Sequence, residues 1–371
     1  MKAAIIGTGP GGLYAALAAS KHNIQIDLFE KRSVGEGIVC GECIFDSLGI
    51  MTKPGRGLMH PVDEVIFQGH GCYTFPLGRH RKLWMLDRRT WQQNLAACAV
   101  SRGVNLHEHT KVTPERLQQM TKEYDWIIDA SGAPSVTSRL NHFSDDYFKE
   151  YLLAHQVVLA GDFSALWPRI KIAFLPDMPA DYQPAYAWIF PKDENLANVG
   201  VVCTVQGTLR KDKLDLKKLL LQTINKEGLD GAQVLERGSG MAVAGMLPRL
   251  VYDNIILAGD AAGLTSPLHG GGIDMACLSG VLAAGAVING GRAVAAYSQT
   301  LKHYTQEKLA LEKVTIQKMK TLNFEQFDVL LRGITSRSWY VRGRTALQHL
   351  DMFYATLKWF GTKKSIPDWP V

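Results

Sequence analysis

The sequence predicts an α/β fold, with a Rossmann-type domain interleaved with a largely antiparallel β-sheet domain and helices filling the C-terminal region. Three observations predict it. A glycine triplet, GTGPGG at 7–12, stands between a short buried strand and an Ala/Leu-rich helix. Between about 145 and 245 the texture becomes strand after strand. Nucleotide-binding character then returns, where the apolar strand 254–258 runs into Gly-Asp-Ala-Ala-Gly at 259–263.

The elements follow in order. Residues 2–6 read as a buried strand, the helix runs to about residue 21, and a second strand, 24–29, ends in Glu30. Gly7 allows the tight turn, Gly9 lets a pyrophosphate approach the backbone, and Gly12 lets helix and strand pack closely. The helix N-terminus offers unpaired N–H groups and partial positive charge to phosphates. Glu30 is placed to accept from a ribose diol. The glycine-rich stretch 31–80 predicts loops and short strands. A strand at 83–86, a helix at 90–101, and strands at 104–106 and 126–130 complete a first part over 1–144. Strand-like segments at 156–159, 171–175, 185–190 and 198–204, with one helix at 214–226, predict an inserted sheet domain over 145–245. The nucleotide-binding domain resumes over 246–293, with a long helix from residue 273. Helices are expected over 294–364, within a last region of 294–371.

Composition is that of an ordinary globular chain, 46% hydrophobic and 20% charged. No apolar run approaches the ~18 residues of a spanning helix. With the first strand beginning at Lys2, no leader is expected, and the expected location is cytoplasmic. Six scattered cysteines do not make a secreted disulfide framework. Residues 301–371 hold 12 Lys/Arg against 6 Asp/Glu, which is the whole of the +6 net charge. That tail also carries Trp339, Tyr340, Phe353, Tyr354, Trp359 and Phe360. It reads either as a membrane-peripheral or protein-contact surface, or as the solvated face of helices packed on the body; the second is favoured. No recognition motif accompanies the charge, so nucleic acid is not expected as a partner.

The Gly-Asp at 259–260, followed by small residues and a glycine-rich turn into a helix, suits a flavin dinucleotide. Asp260 can accept from ribityl hydroxyls. Backbone N–H groups at Gly271, Gly272 and Ile273 can face the ring's pyrimidine edge, where the helix dipole favours negative charge. The plain alternative, a glycine loop needed only for packing, falls behind once GTGPGG and Glu30 stand beside it. FAD is therefore the expected cofactor.

The order GxGPxG, acid-ended second strand, Arg88 before an aromatic-bearing helix, and GDAAG resembles the p-hydroxybenzoate-hydroxylase superfamily of FAD enzymes. Two segments narrow the resemblance to the geranylgeranyl reductase family: EKRSVGEGIVCGE at 30–42, and YAWIFPK at 186–192 with NVG at 198–200. Together these span roughly residues 1–290. The resemblance implies that Gly7, Gly9, Pro10 and Gly12 bind pyrophosphate, with Glu30 on the adenosine ribose and Lys31 beside it. It implies Arg32 and Arg88 near phosphates and ribityl, Val112 in backbone contact with adenine, and Gly259, Asp260 and the 270–273 turn on the flavin. Cys40 would sit near the ring system, and the strand bearing Tyr186 and Trp188 would floor a substrate cavity. Two departures stand out. Ser131 replaces the acid that usually serves FAD phosphates and pyridine-nucleotide reduction, which makes NAD(P)H a doubtful direct reductant. His269 stands in the flavin turn where a small residue is commoner.

Cys40-Gly41-Glu42-Cys43 leaves three readings: a pocket-lining Cys40 with Cys43 in the core on a following helix, a redox dithiol, or half a zinc site without a second pair. The first is preferred, and no metal is expected. Cys40 and Glu42 are candidate proton donors. Tyr186, Trp188 and Phe190 share one face of a strand, either as core or as an aromatic wall for a bulky substrate. His269 is either a satisfied turn residue or an acid/base near the flavin. The leading expectation is an FAD-dependent oxidoreductase acting on a bulky apolar or aromatic substrate, by analogy reducing double bonds of an isoprenoid-type chain. One alternative is a flavin monooxygenase hydroxylating an aromatic ring, such as a tryptophan of a protein partner in quinone-cofactor maturation. Another is a non-enzymatic FAD redox sensor.

Overall fold

In a computed structural model of the chain, residues 1–77, 82–175, 178–207, 214–243, 245–361 and 369–370 are described. The opening strand Lys2–Ile6 is apolar after its first residue and buried on both faces, as a central parallel strand must be. It pairs in parallel with Gln25–Phe29 on one side and Trp126–Asp129 on the other. Asn105–His107 and Ile255–Leu257 extend the sheet in parallel, and the short strand Val251–Tyr252 closes it antiparallel. The helix Pro10–Ala19 is apolar on every side and buried from Gly11 onward. It can be so because the helix Ile273–Asn289 crosses it at backbone contact. A Cβ on Gly280 would collide with the carbonyl of Gly11, and one on Gly12 with the carbonyl of Gly7.

The second sheet has seven strands in the order Gln233–Val243, Glu150–Ala160, Leu196–Gln206, Ala185–Pro191, Ile170–Phe174, Glu64–Gln68, Cys72–Pro76. All neighbours are antiparallel except Ile170–Phe174 and Glu64–Gln68, which are parallel. The sheet thus recruits two strands from well before residue 145. A parallel pair needs a long crossover, so its members are drawn from distant parts of the chain. Gln233–Val243 gave no strand signal because it is an edge strand exposed over its first half, with no apolar alternation. The helix Leu216–Lys226 covers one face of this sheet.

A third, three-stranded sheet joins Cys43–Asp46, Lys82–Leu86 and Leu58–Pro61. Cys43 therefore opens a strand and not the expected helix: Glu42 adopts φ 60°, and Cys43 then pairs with Met85. The C-terminal region is helical as expected, over Gly291–Thr321, Phe324–Thr335, Trp339–Gln348 and Leu350–Gly361. The last positions of the expected helical stretch, 362–364, lie outside the described residues, as does the side chain of Phe360. Among the described residues no helix is long and apolar enough to cross a membrane.

Candidate flavin and substrate site

One cavity of about 1190 Å³ lies between the parallel sheet and the seven-stranded sheet. That exceeds the ~300–1,000 Å³ of an ordinary small-molecule pocket. Its first part is built at the C-terminal ends of the parallel strands. Gly7 has φ 99° and no room for a side chain, since a Cβ would strike the backbone of Ala130. Gly9 is the opposite case. It caps the first helix without a side-chain bond, and a Cβ there would meet nothing within 4 Å. Its missing side chain is thus a vacancy facing the cavity, beside the free N–H groups of a helix N-terminus. Pro10 holds the first helical position, where no N–H is lost. The Glu30 carboxylate is fixed by Thr8 N–H at 2.9 Å, Thr8 Oγ1 at 2.6 Å and Arg32 N–H at 3.1 Å. Lys31, Arg32, Val112 and Ser131 line the same part. Gly12 does not; it packs beneath the turn.

The middle part joins Arg88 to the loop after Gly259. Asp87 caps its helix by accepting from Thr90 N–H at 3.0 Å, which sets Arg88 at the first helical position. The Arg88 guanidinium donates to Gln92, whose own amide donates to Thr8 O at 3.0 Å. Its Nε is buried with no partner, a donor awaiting an acceptor. Burial pushes the Asp260 carboxyl up, and the Arg88 charge partly offsets this. Gly272 caps the helix Ile273–Asn289 with no side-chain bond, which leaves the Gly272, Ile273 and Asp274 N–H groups unclaimed by side chains. The expected Gly271 N–H is instead taken by His269 Nδ1 at 3.2 Å, and Met275 N–H by Asp274 Oδ1 at 2.8 Å. Two uncapped helix starts, an orphaned guanidinium nitrogen and an open glycine face one cavity. The donor set fits the phosphates, ribityl chain and ring edge of FAD.

The third part is apolar. Leu152, Ala154, Tyr186, Trp188, Phe190 and Val202 come from three adjacent strands of the large sheet. Trp188 stands opposite Gly200 in register, where any Cβ would strike the indole. The indole N–H donates to Asn198 Oδ1 at 2.9 Å, and the Asn198 amide donates to Cys40 O at 3.0 Å. Gln156 donates to the same carbonyl at 3.2 Å. The NVG segment therefore makes room for the indole and pins Cys40 to the cavity wall. Tyr186 donates to His269 O at 2.6 Å, tying the large sheet to the flavin turn. Cys43 also lines the cavity, and burial, with Cys40 beside it, holds its thiol well above the ordinary range. Both cysteines are free thiols.

Two predicted acids point elsewhere. Glu42 is absent from the lining; its carboxylate meets Lys192 Nζ at 2.6 Å and accepts from Arg88 N–H at 3.2 Å. His269 lines the cavity, but Gly271 N–H donates to its Nδ1 at 3.2 Å, and its Nε2 lies 3.4 Å from Glu312 Oε1. Glu312 and Lys308, from the helix Gly291–Thr321, were not anticipated. They form a buried pair at 2.7 Å, and Ser266 Oγ donates to the same Glu312 oxygen at 2.8 Å. Burial alone would raise the Glu312 carboxyl; the Lys308 ammonium and His269 bring it down to about 2. The available signal was an i,i+4 Lys–Glu pair, which reads equally well as a solvated helix face. Among the described residues no group of three or more His, Cys, Asp or Glu is arranged to hold a metal.

Comparison with known proteins agrees with this geometry. A model of the geranylgeranyl reductase catalytic domain matches residues 180–242, the strands of the aromatic wall. A model of the NAD(P)-binding Rossmann-like domain matches residues 5–36, the first cradle. Digeranylgeranylglycerophospholipid reductase 3 of Methanosphaera stadtmanae is 27% identical over 332 residues, covering 82% of this chain and 79% of its own. The corresponding reductase of Thermoplasma volcanium is 28% identical over 319 residues, 76% of each chain. A geranylgeranyl bacteriochlorophyll reductase-like protein from Thermoplasma acidophilum has the same fold, with a TM-score of 0.75 at 20% identity over 96% of this chain and 98% of its own. The flavin-dependent halogenase CmlS superposes with a TM-score of 0.60 at 19% identity over 97% of this chain and 70% of its own, a likeness of fold alone.

Proposed function

Starting from a chain that is an FAD-dependent oxidoreductase resembling the geranylgeranyl reductases, we propose that it saturates carbon–carbon double bonds of an isoprenoid chain. The relatives named above are reductases of digeranylgeranyl lipids, so a lipid-borne chain is the substrate class. The observation that carries this reading is the apolar wall of Leu152, Tyr186, Trp188 and Val202 in the same cavity as the phosphate cradle. A polyene chain has no hydrogen-bonding groups, so it is recognised by shape and apolar burial. FAD, when bound, supplies the reducing equivalents. The residues that would hold it are Gly7, Gly9, Pro10, Glu30, Arg32, Arg88, Asp260 and the Gly270–Ile273 turn.

The protein's own share is to exclude water, align the chain and deliver a proton to each saturated bond. Of the three candidate donors, Cys40 is best placed. Glu42 is tied to Lys192 outside the lining, and both His269 nitrogens face protein groups. We assign the proton to Cys40 Sγ; Asn198 and Gln156 hold the Cys40 carbonyl, and the sulfur accepts from Glu42 N–H at 3.3 Å. Cys40→Ser is expected to lower turnover about 10²–10⁴-fold with FAD content unchanged. Ser131 brings no charge and accepts from Val136 N–H at 3.0 Å, which supports a direct reductant other than NAD(P)H. NADPH should then leave the flavin colour unbleached where a low-potential one-electron donor bleaches it.

The test is to mix reduced protein with a geranylgeranyl-bearing lipid and weigh the product. Each saturated bond adds one pair of hydrogens. No mass gain in the lipid, with oxygen appearing instead in an added aromatic compound when the reduced protein meets air, would sink the reading in favour of a monooxygenase.

A further inference from the structure

We propose that the consecutive helices Trp339–Gln348 and Leu350–Gly361 form a docking face for an anionic lipid surface. They turn apolar side chains outward: Trp339 is 84% exposed and Leu347 73%, with Tyr340, Leu350, Tyr354 and Leu357 all more than half exposed. On the second helix Leu350, Phe353, Tyr354 and Leu357 recur at spacings of three and four, a stripe along one side. The other side is engaged. Ala355 is buried, and Trp359 donates from its indole to Ser47 O at 2.9 Å. The outer stripe is therefore not core that has come loose; it belongs to a helix already anchored through its inner face. Exposed apolar surface grouped in this way marks an interaction site.

Charge identifies the occupant. Arg337, Arg342 and Arg344 are exposed and have no carboxylate partner among the described residues. Asp351 is the one acid between 336 and 361, and Lys318 neutralises it at 2.9 Å. The face is cationic and apolar at once. Trp and Tyr favour the headgroup level, aliphatic side chains enter the acyl boundary, and arginines reach phosphates. A protein partner would need a complementary shape for two rows of side chains on two helices; a fluid lipid layer moulds to them.

The inner side of the helix Leu350–Gly361 packs near the site. The Trp359 ring meets Phe45 at 6.4 Å, and Phe45 meets His269 at 5.8 Å, which lines the cavity.

The test is sedimentation of FAD-loaded protein with vesicles of phosphatidylcholine alone, or mixed with phosphatidylglycerol, at low and high salt, with no isoprenoid present. Binding is expected to the mixed vesicles and to weaken with salt. It should fall about fivefold for each of Arg337, Arg342 and Arg344 changed to Gln. It should be lost in the triple variant Trp339→Ser, Leu347→Ser, Leu357→Ser, with FAD content unchanged. Protein that stays in the supernatant with mixed vesicles overturns the proposal. So does a dimer in solution that the serine variant abolishes, because a second copy would then own the face. Lipid binding by a protein that reduces no isoprenoid would overturn the proposed substrate and leave docking standing; reduction without lipid binding would do the reverse.

Discussion

Gly9 and Gly12 are three positions apart and serve opposite purposes. A side chain at Gly12 would be driven into the Gly7 carbonyl, whereas one at Gly9 would point into open cavity. Gly9 also has an ordinary φ of −67°. Gly9→Val is therefore expected to leave the melting temperature of the FAD-free protein nearly unchanged while abolishing FAD uptake. Gly12→Val should prevent folding altogether; soluble yield and flavin absorbance separate the two. The Lys308–Glu312 pair behaves differently, because its partners are both inside. Glu312→Gln leaves an unpaired buried ammonium and should cost about 3–5 kcal/mol, most of it regained in Lys308→Met/Glu312→Leu. The pH sign follows from a carboxyl lowered from 4.5 to about 2 on folding. Its stabilisation is complete above about pH 4.5 and is lost as the pH falls toward 2. The wild type should thus lose more melting temperature over that interval than the double variant. The glycines were readable in the sequence because their spacing has one main structural cause. Lys308 and Glu312 were not, since the same spacing occurs on countless exposed helices, and only the packing of that helix against Ser266 and His269 separates the cases.

Caps and registers decide which side chains reach the cavity. Asp87 ends a strand and starts a helix in one residue, and Arg88 takes its direction from that cap. Asp87→Ala should cost about 0.5–2 kcal/mol and also weaken FAD binding, which titration of flavin fluorescence would measure. Loss of stability with FAD affinity intact would show that Gln92 and Glu42 hold Arg88 without the cap. The parallel strands were legible as short apolar runs ending in Gly, Glu or Asp. The strand-to-helix turns were legible by their glycines. Cys43 was misplaced onto a helix because its strand is only four residues long and its pairing partners lie some 40 positions away. Gln233–Val243 was invisible because an edge strand exposed to water need not alternate. The aromatic wall was half legible. Alternation put Tyr186, Trp188 and Phe190 on one face, but the cavity they line depends on Leu152 and Val202 from neighbouring strands.

For the whole molecule, the cavity draws its walls from residues 6–43, 88, 110–139, 152–202, 240–242 and 259–276. A ligand touching so many segments should stabilise them together. FAD at a hundredfold excess over its dissociation constant is expected to add about 2.7 kcal/mol and to raise one cooperative transition, with no second transition left behind. Two separate transitions in calorimetry, only one of them moved by FAD, would contradict this. The crossing of the first helix by Ile273–Asn289 has a further consequence, for the order of synthesis. Gly11 and Ala15 emerge from the ribosome some 265 residues before Gly280, whose backbone must cover them. For most of translation, therefore, one side of an all-apolar helix has no lid, although the helix Arg88–Ser101 already covers another through Trp91 on Tyr14. A nascent chain arrested before that point should be sticky and dependent on a chaperone, while the finished polypeptide is not.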